Sequence, residues 1–312
     1  MIISVIIVAY DRKKYLVDAI KSALSQTLSR ENYEIIIIKN YLDIEIDKFI
    51  NDNNLINIYS EEKSLSGKIY EAIKVSSGDI VAFLEDDDRF FSVKLQSVYN
   101  IFNSNPNIIY YHNNQQYVDE NCNLIKIGSS LPDFNVSSIA MRKDIIYLEC
   151  LKNMPDAIDS FLYYNALNVN GIVINDSTPL TYYRYHSSSS NYIGGFYDTM
   201  SSRLKHSLKL VEYYNLIYNC LSSREVKKLV LNKIINTKIR TVILESVIYD
   251  KKDLKIGIQN LLFWLFYPVY YNRKLPLLFK TFRFVELFLP NKFKLLIEKR
   301  EFEKETNEHT RM

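Results

Sequence analysis

Glycine and proline are scarce in this chain of 312 residues, which contains seven of each. The loop after the first apolar run, residues 9–14, has no glycine, which excludes a P-loop and a dinucleotide-binding fingerprint there. The three cysteines stand singly, so we expect neither a zinc site nor a disulfide scaffold, and a reducing, cytoplasmic compartment fits best. Because no run of about 20 uncharged apolar residues occurs, no membrane-spanning helix is predicted.

Charge is divided unevenly along the chain. Residues 1–200 carry 17 basic and 25 acidic side chains, whereas residues 201–312 carry 22 basic and 11 acidic ones. The formal net charge of +3 therefore conceals two parts of opposite sign. With 47% hydrophobic and 24% charged residues, the composition is typical of a folded globular protein rather than a disordered one.

Short Ile/Val runs alternate with helical patterns over the first 90 residues. Strands are predicted at 2–8, 34–38, 55–59 and 80–84, and helices at 14–25 and 64–76. Apolar β-branched runs without polar alternation indicate parallel strands covered on both faces. Shorter strands and helices follow as far as residue 190, so the sequence predicts an α/β domain over 1–190, with a mixed sheet flanked by helices.

A second region begins after a serine-rich segment and the pair Gly194-Gly195. Residues 191–300 have helical, basic and aromatic patterns, and residues 301–312 are predicted to form a flexible acidic tail. Between 251 and 300, 11 basic side chains stand against 3 acidic ones. The pattern predicts short helices lying on an anionic membrane surface. The side chains expected to face lipid are Phe263, Trp264, Phe266, Lys274, Lys280 and Arg283. The alternative is packing against the first domain or a dimer interface.

Four adjacent carboxylates, Glu85 to Asp88, follow the fourth predicted strand. Ligands of open parallel sheets bind at the carboxyl ends of the strands. Adjacent carboxylates at the end of a buried strand repel one another unless a cation is present. We therefore expect a divalent metal and phosphate site here, and the alternative is a solvated acidic turn.

Four blocks, residues 4–12, 22–27, 33–38 and 77–88, together resemble the family 2 glycosyltransferases of GT-A fold. The resemblance covers about residues 2–190 and does not specify the sugar. It implies a GT-A type, Rossmann-like sheet and a metal-dependent, inverting transfer of the hexosyltransferase class. The implied donor is a nucleotide diphosphate-sugar, with a UDP-sugar favoured, and the acceptor is a hydroxyl group, in a glycan or a lipid-linked molecule.

The acidic run matches the Asp-x-Asp motif of that family. The resemblance implies that Asp87 is the ligand of Mn²⁺ or Mg²⁺, and that Glu85 and Asp86 lie near the ribose, the diphosphate or the metal. Residues 183–186 resemble the family's Tyr-Arg-x-His motif, which implies that His186 reaches the metal or diphosphate. The residues implied to contact the nucleotide-sugar are Ala9, Tyr10, Asp11, Asn40, Gly67, Lys68, Glu85, Asp86 and Arg184.

Several of these positions depart from the family pattern or have a structural alternative. Tyr10 matches the loop that receives the base and could stack on it. Lys39-Asn40 replaces an acidic pair that reads the base, although an Asn side chain can both donate and accept hydrogen bonds. The Lys68 side chain is expected to face a phosphate. The alternative is that it is exposed to solvent at the start of a helix.

An inverting transfer also needs a general base for the acceptor hydroxyl. The family places this carboxylate in a Glu-Asp pair at the start of a helix, and the match here is Asp159, preceded by Ile158 instead of Glu. Asp156 is the other candidate, and either carboxylate could merely stabilise the N-terminus of the helix.

Other functions remain as alternatives. The missing Glu before Asp159 and the Lys39-Asn40 exchange leave room for a catalytically inactive relative that acts as a membrane-surface scaffold or partner-binding module. A phosphohydrolase with a strand-end nucleophile needs Asp where this chain has Glu85. Nucleic-acid binding is not expected, because the basic residues of the second region lie among large apolar side chains.

Overall fold

The computed structural model describes residues 1–10, 13–128, 131–155, 157–186, 195–250, 259, 261–262 and 277–310, with the backbone alone at 277–281 and 307–310. Contacts divide the chain into two compact units, residues 1–190 and 191–312. The first unit is built on a β-sheet, and the second is helical.

The first unit contains one mixed sheet, with nine strands among the described residues. The strands are β1 (Ile3–Ala9), β2 (Tyr33–Lys39), β3 (Ile56–Tyr59), β4 (Ile80–Glu85), β5 (Arg89–Phe90), β6 (Ile108–Val118), β7 (Leu124–Ile127), β8 (Ile139–Arg142) and β9 (Ile172–Arg184). Their order is β3-β2-β1-β4-β8-β6-β9-β5, and β7 pairs with β6. The four strands from β3 to β4 are parallel, whereas β8 is antiparallel to both of its neighbours.

Helices flank this sheet, as the sequence predicts. They are α1 (Leu16–Leu24), α2 (Ile44–Asp52), α3 (Leu65–Val75), α4 (Lys94–Ser104), α5 (Leu148–Lys152) and α6 (Ile158–Leu167), with 3₁₀ turns at Arg30–Asn32, Val136–Ser138 and Lys143–Ile145. The 3₁₀ turns at Val136–Ser138 and Lys143–Ile145 lie directly before β8 and shortly before α5. The sequence pattern does not predict α2, β5 or β7.

The central strand β1 is buried along its whole length. Because helices cover both faces of a parallel sheet, such a strand is a continuous apolar run. Its one polar residue, Ser4, donates from its hydroxyl to Glu34 Oε1 at 2.5 Å. A Cβ atom at Gly78 would lie 2.6 Å from Ser4 Oγ and 2.7 Å from its backbone nitrogen, so glycine lets the chain enter β4 close beside β1.

Three strand ends define one edge of the sheet. Ala9, Lys39 and Glu85 are the last residues of β1, β2 and β4. The chain progresses outward from β1 to β3 and then crosses back to place β4 on the other side of β1. This reversal is the topological switch point at which open α/β sheets bind their ligands.

The second unit consists of the helices α7 (Phe196–Cys220), α8 (Arg224–Tyr249), α9 (Leu277–Phe288) and α10 (Asn291–Thr310). Helix α8 packs against the other three. Its buried side chains Ile239 and Ile243 form an apolar cluster with Leu287 of α9. In the part of the chain that the structure describes, no helix is both long and apolar enough to cross a membrane.

Two expectations for this unit need correction. Residues 301–310 continue α10 instead of forming a flexible tail, because Glu301 lies 3.1 Å from Arg283 and Glu305 pairs with Arg203. Arg283, expected to face lipid, is only 12% exposed and pairs with glutamates. The residues Phe263, Trp264, Phe266 and Lys274, and the side chain of Lys280, lie outside the described part of the chain.

Candidate active site

The acidic loop, residues 85–88, is held between the ends of two other strands. Asp86 Oδ2 accepts a hydrogen bond of 3.2 Å from the backbone N–H of Tyr10, just after β1. Asp88 Oδ1 accepts one of 3.1 Å from the backbone N–H of Arg184, at the end of β9. The loop, the first strand end and the last strand end therefore meet at the switch point.

Asp87 and His186, the two predicted metal ligands, lie side by side. His186 Nε2 is 3.1 Å from Asp87 Oδ2, and the two side chains are 2% and 14% exposed. No group of three His, Cys, Asp or Glu side chains in the described ranges is arranged to hold a metal. Mg²⁺ at nucleotide sites is typically held by one or two carboxylates together with substrate phosphates. The pair therefore fits a cation whose other ligands come from a diphosphate and water.

Burial makes the ionised acidic loop unfavourable. Burial, with the charges of Asp87 and Asp88, raises the pKa of Glu85 well above its usual range. Burial, followed by Asp87, also raises the pKa of Asp88 to about 8. Within the described residues, neither Glu85 nor Asp88 forms an ion pair with a Lys or Arg side chain. A cationic ligand would relieve this repulsion, as expected for a metal site.

Asp159 lies in the first turn of α6, close to the acidic loop. After burial and the carboxylates of the loop itself, its charge also raises the pKa of Glu85. The helix begins after Ala157, which has a left-handed φ of 57°. Asp159 Oδ1 accepts a hydrogen bond of 2.7 Å from the N–H of Ser160. The other candidate base, Asp156, lies outside the described residues.

Tyr10 and Lys68 meet at a cavity of about 240 Å³ beside the end of β1. Lys68 is fully buried, and its Nζ lies 4.5 Å from the centroid of the Tyr10 ring. The same ammonium donates to the backbone carbonyl of Glu62. A Cβ atom at Gly67 would lie 2.6 Å from Glu62 Oε2, so the Glu62 side chain would have to move if another residue stood there. Pro155, which precedes α6, lines the same cavity.

At the end of β2, Lys39 is neutralised within the protein. Its side chain is 1% exposed, and Nζ lies 2.7 Å from Asp47 Oδ1. Asp43, four residues after Lys39, caps α2 and pairs with Lys13 at 2.8 Å. Asn40 is the half-buried residue that follows Lys39 at this edge.

Ala9 is buried at the end of β1, and Asp11 lies outside the described residues. The Arg184 side chain is buried, 3.4 Å from Asp18 Oδ2 of α1, and its guanidinium carbon lies 4.2 Å from the centroid of the Tyr15 ring. The backbone N–H of Arg184, rather than its guanidinium, contacts the acidic loop.

The sequence analysis missed two residues that support the site. Ser137 Oγ accepts a hydrogen bond of 3.0 Å from the backbone N–H of Glu85, across 52 residues of sequence. Tyr15 packs its ring 5.3 Å from that of His186, and its hydroxyl donates to Glu120 at 2.8 Å. No local signal reveals either contact, because Tyr15 follows the apolar pattern of α1 and Ser137 lies in a serine pair within an irregular segment.

Residues 4–134 match the family model described as Glycosyl transferase family 2. This match identifies residues 4–134 with glycosyl transferase family 2, as the sequence resemblance predicts. The Escherichia coli UDP-Glc:alpha-D-GlcNAc-diphosphoundecaprenol beta-1,3-glucosyltransferase WfaP is 28% identical over 202 residues, which are 60% of this chain and 79% of WfaP. An uncharacterized glycosyltransferase of Rickettsia bellii is 33% identical over 122 residues, which are 38% of this chain. The match spans only 17% of the Rickettsia protein.

Solved structures show the same fold as this chain. Staphylococcus aureus TarS 1–349 in complex with UDP-GlcNAc is 16% identical, with a TM-score of 0.54 over 85% of this chain and 79% of that one. The mannosyltransferase PcManGT of Pyrobaculum calidifontis, in complex with GDP-Man and Mn²⁺, is 10% identical, with a TM-score of 0.55 over 95% and 84% of the two chains. The GT-A type mixed sheet with a helical C-terminal region, as predicted, is confirmed.

Proposed function

We propose that this protein is a metal-dependent, inverting glycosyltransferase that moves a hexose from a UDP-sugar to an acceptor hydroxyl. The observation that carries the proposal is the acidic loop at the switch point of the sheet. There Asp87 lies beside His186, and burial raises the pKa values of Glu85 and Asp88, neither of which forms an ion pair with Lys or Arg among the described residues. A UDP-sugar is favoured because WfaP is named for UDP-Glc and a TarS structure contains UDP-GlcNAc.

The donor lies along the edge formed by the ends of β1, β2 and β4. The half-exposed ring of Tyr10 stacks on the base, and the Asn40 amide reads its edge. Lys68, beneath the Tyr10 ring, places a positive charge beside the diphosphate path. Ala9 and Gly67 allow close approach of the backbone, and Glu85 and Asp86 lie on the sugar and ribose side of the loop.

Asp87 and His186 would hold Mn²⁺ or Mg²⁺ between the acidic loop and the diphosphate. When bound there, the cation would supply positive charge to neutralise the charge that develops on the leaving nucleoside diphosphate. The backbone N–H groups of Tyr10 and Arg184 donate hydrogen bonds to Asp86 and Asp88. These bonds hold the residues on both sides of Asp87 and so orient the Asp87 carboxylate towards the metal site.

Asp159 acts as the general base. It accepts the proton of the acceptor hydroxyl while that oxygen bonds to the anomeric carbon and the bond from this carbon to the diphosphate oxygen breaks. Attack from the face opposite the leaving group inverts the anomeric configuration. The influence of Asp159 on the pKa of Glu85 supports this role, since the base must lie near the reacting sugar.

A lipid-linked glycan is the acceptor class that the comparison supports best. The support is the name of WfaP, which specifies a sugar on diphosphoundecaprenol. The family match alone leaves the acceptor open.

The test is transfer from a panel of radiolabelled UDP-sugars to synthetic polyprenyl-diphosphate-GlcNAc, with Mn²⁺ or with EDTA. We expect an Mn²⁺-dependent product whose new linkage has the anomeric configuration opposite to that of the donor. Neither transfer nor donor hydrolysis with any UDP-sugar would favour the catalytically inactive scaffold instead. Retention of the anomeric configuration would contradict the role of Asp159 as the general base of an inverting transfer.

A further inference from the structure

The last helix, α10, turns its ionic side chains towards the interior of the second unit. Glu298 and Lys294 are 0% and 4% exposed. The inward residues and their partners are Lys294 with Ser246, Glu298 with Arg240, Glu301 with Arg283, and Glu305 with Arg203. A helix at the surface of a soluble protein usually shows the opposite arrangement, with apolar side chains inward.

The opposite side of α10 is apolar and basic. Phe293 and Leu296 are 46% and 48% exposed. Lys292, Lys299 and Arg300 are exposed beside them. Spacings of one, three, four and seven residues place all five side chains on one face of the helix, which we call the outer face.

The preceding helix adds exposed apolar side chains and no exposed acid. Phe282, Val285 and Phe288 of α9 are exposed. Between residues 282 and 300 the acidic residues are Glu286 and Glu298, and both are 0% exposed. Ion pairing with arginines thus removes these two negative charges from the surface, whereas the basic residues of the outer face remain on it. Further along α10, the exposed Glu303 is the acidic residue of the same face.

We propose that the outer face binds an anionic membrane surface, with Phe293 and Leu296 inserted among the lipids and Lys292, Lys299 and Arg300 against the headgroups. An amphipathic helix binds such a surface through apolar burial together with attraction of its basic residues to anionic lipid. Charge complementarity favours lipid over a second copy of the chain, because each outer face carries three basic residues against the single acid Glu303, and two such faces would bring net positive charge together. The proposal does not depend on catalysis.

The experiment is co-sedimentation of the full chain with vesicles of phosphatidylcholine, alone or mixed with phosphatidylglycerol. We expect binding to the mixed vesicles that decreases as salt increases. Each basic residue near the surface contributes about 1 kcal/mol, so Lys292→Gln, Lys299→Gln and Arg300→Gln together should lower the partition coefficient by about two orders of magnitude. Phe293→Ser with Leu296→Ser should abolish sedimentation.

The matched control lies on α7. Lys205 and Lys209 are exposed basic residues of the same unit, beside the exposed Leu208 and Glu212. Lys205→Gln with Lys209→Gln removes similar charge and should leave vesicle binding unchanged. Far-ultraviolet circular dichroism and the affinity for UDP, measured on every variant, separate loss of docking from loss of folding or of the donor site.

Three outcomes would overturn the proposal. The wild-type chain could stay in the supernatant with anionic vesicles at low salt, or the three outer-face Gln changes could sediment like wild type. Alternatively, the Phe293→Ser and Leu296→Ser variant could convert a dimer to a monomer while lipid binding persists. This last result would assign the outer face to a second copy.

Discussion

Both units of the protein bury carboxylates, but different groups contact these carboxylates in the two units. In the second unit, Glu298 accepts hydrogen bonds from Arg240, and Glu286 pairs with Arg283. In the first unit, Asp88 accepts from a backbone N–H, while burial and Asp87 raise its pKa to about 8. Arginine thus neutralises Glu298 within the fold, whereas burial raises the pKa of Glu286 although Arg283 opposes this shift.

The difference indicates which carboxylates are available for chemistry. A buried acid that the protein leaves without a cationic partner costs stability, so such acids concentrate at functional sites. Substitutions in the two units should therefore have opposite signatures. Loss of an acid at the strand ends should affect activity and spare the fold, whereas loss of an arginine in the helical unit should do the reverse.

The largest effect is expected from Asp159→Asn. Without proton transfer to this carboxylate, turnover should decrease by about 10²–10⁴ while the affinity for UDP and the melting temperature remain close to wild type. Steady-state kinetics and calorimetric UDP binding measure the two effects. Asp144→Asn, which removes an exposed acid from the same unit, is the control and should change neither. If Asp159→Asn had normal turnover, Asp159 would not be the general base, and Asp156 would be the remaining candidate.

Arg240→Met should act on stability instead. It removes the hydrogen bonds from Arg240 to the buried Glu298 and leaves Arg283 at 3.5 Å as its cationic neighbour, so the free energy of unfolding of the helical unit should decrease by about 1.5–3 kcal/mol. Urea denaturation followed by circular dichroism measures the change. Lys228→Met breaks an exposed pair with Glu225 and should cost less than about 0.5 kcal/mol. Equal effects of the two substitutions would contradict the structural role assigned to the buried pair.

A smaller effect is expected on the pH dependence of the free energy of unfolding. The folded state holds a proton on Asp88 up to about pH 8, whereas the unfolded state releases it near pH 4. Stability should therefore decrease as the pH rises from about 4 to 8. Asp88→Asn should remove part of this slope, so that its stability relative to wild type is greater at pH 8 than at pH 5. Urea denaturation in EDTA at pH 5 and pH 8 measures it, and an unchanged slope would mean that Asp88 ionises normally.

The sequence predicted the parallel part of the fold well, because β1, β2 and β4 are buried on both faces and their composition reflects it. It also identified the acidic loop, since strand ends can be located from the pattern. It could not predict that Lys39 is neutralised by Asp47 or that Ser137 supports Glu85, because both depend on tertiary contacts. The ionic interior of α10 was missed for the same reason. Charge counts do not show which side of a helix faces inward.

Calorimetric titration of UDP into the wild-type protein and into Asp87→Asn, each with Mn²⁺ and with EDTA, tests most directly whether the acidic loop is a metal and diphosphate site. We expect Mn²⁺ to raise the UDP affinity of the wild type at least about tenfold, a difference of about 1.4 kcal/mol, and to leave that of Asp87→Asn unchanged. Equal gains from Mn²⁺ in both proteins would contradict the assignment of Asp87 as the ligand.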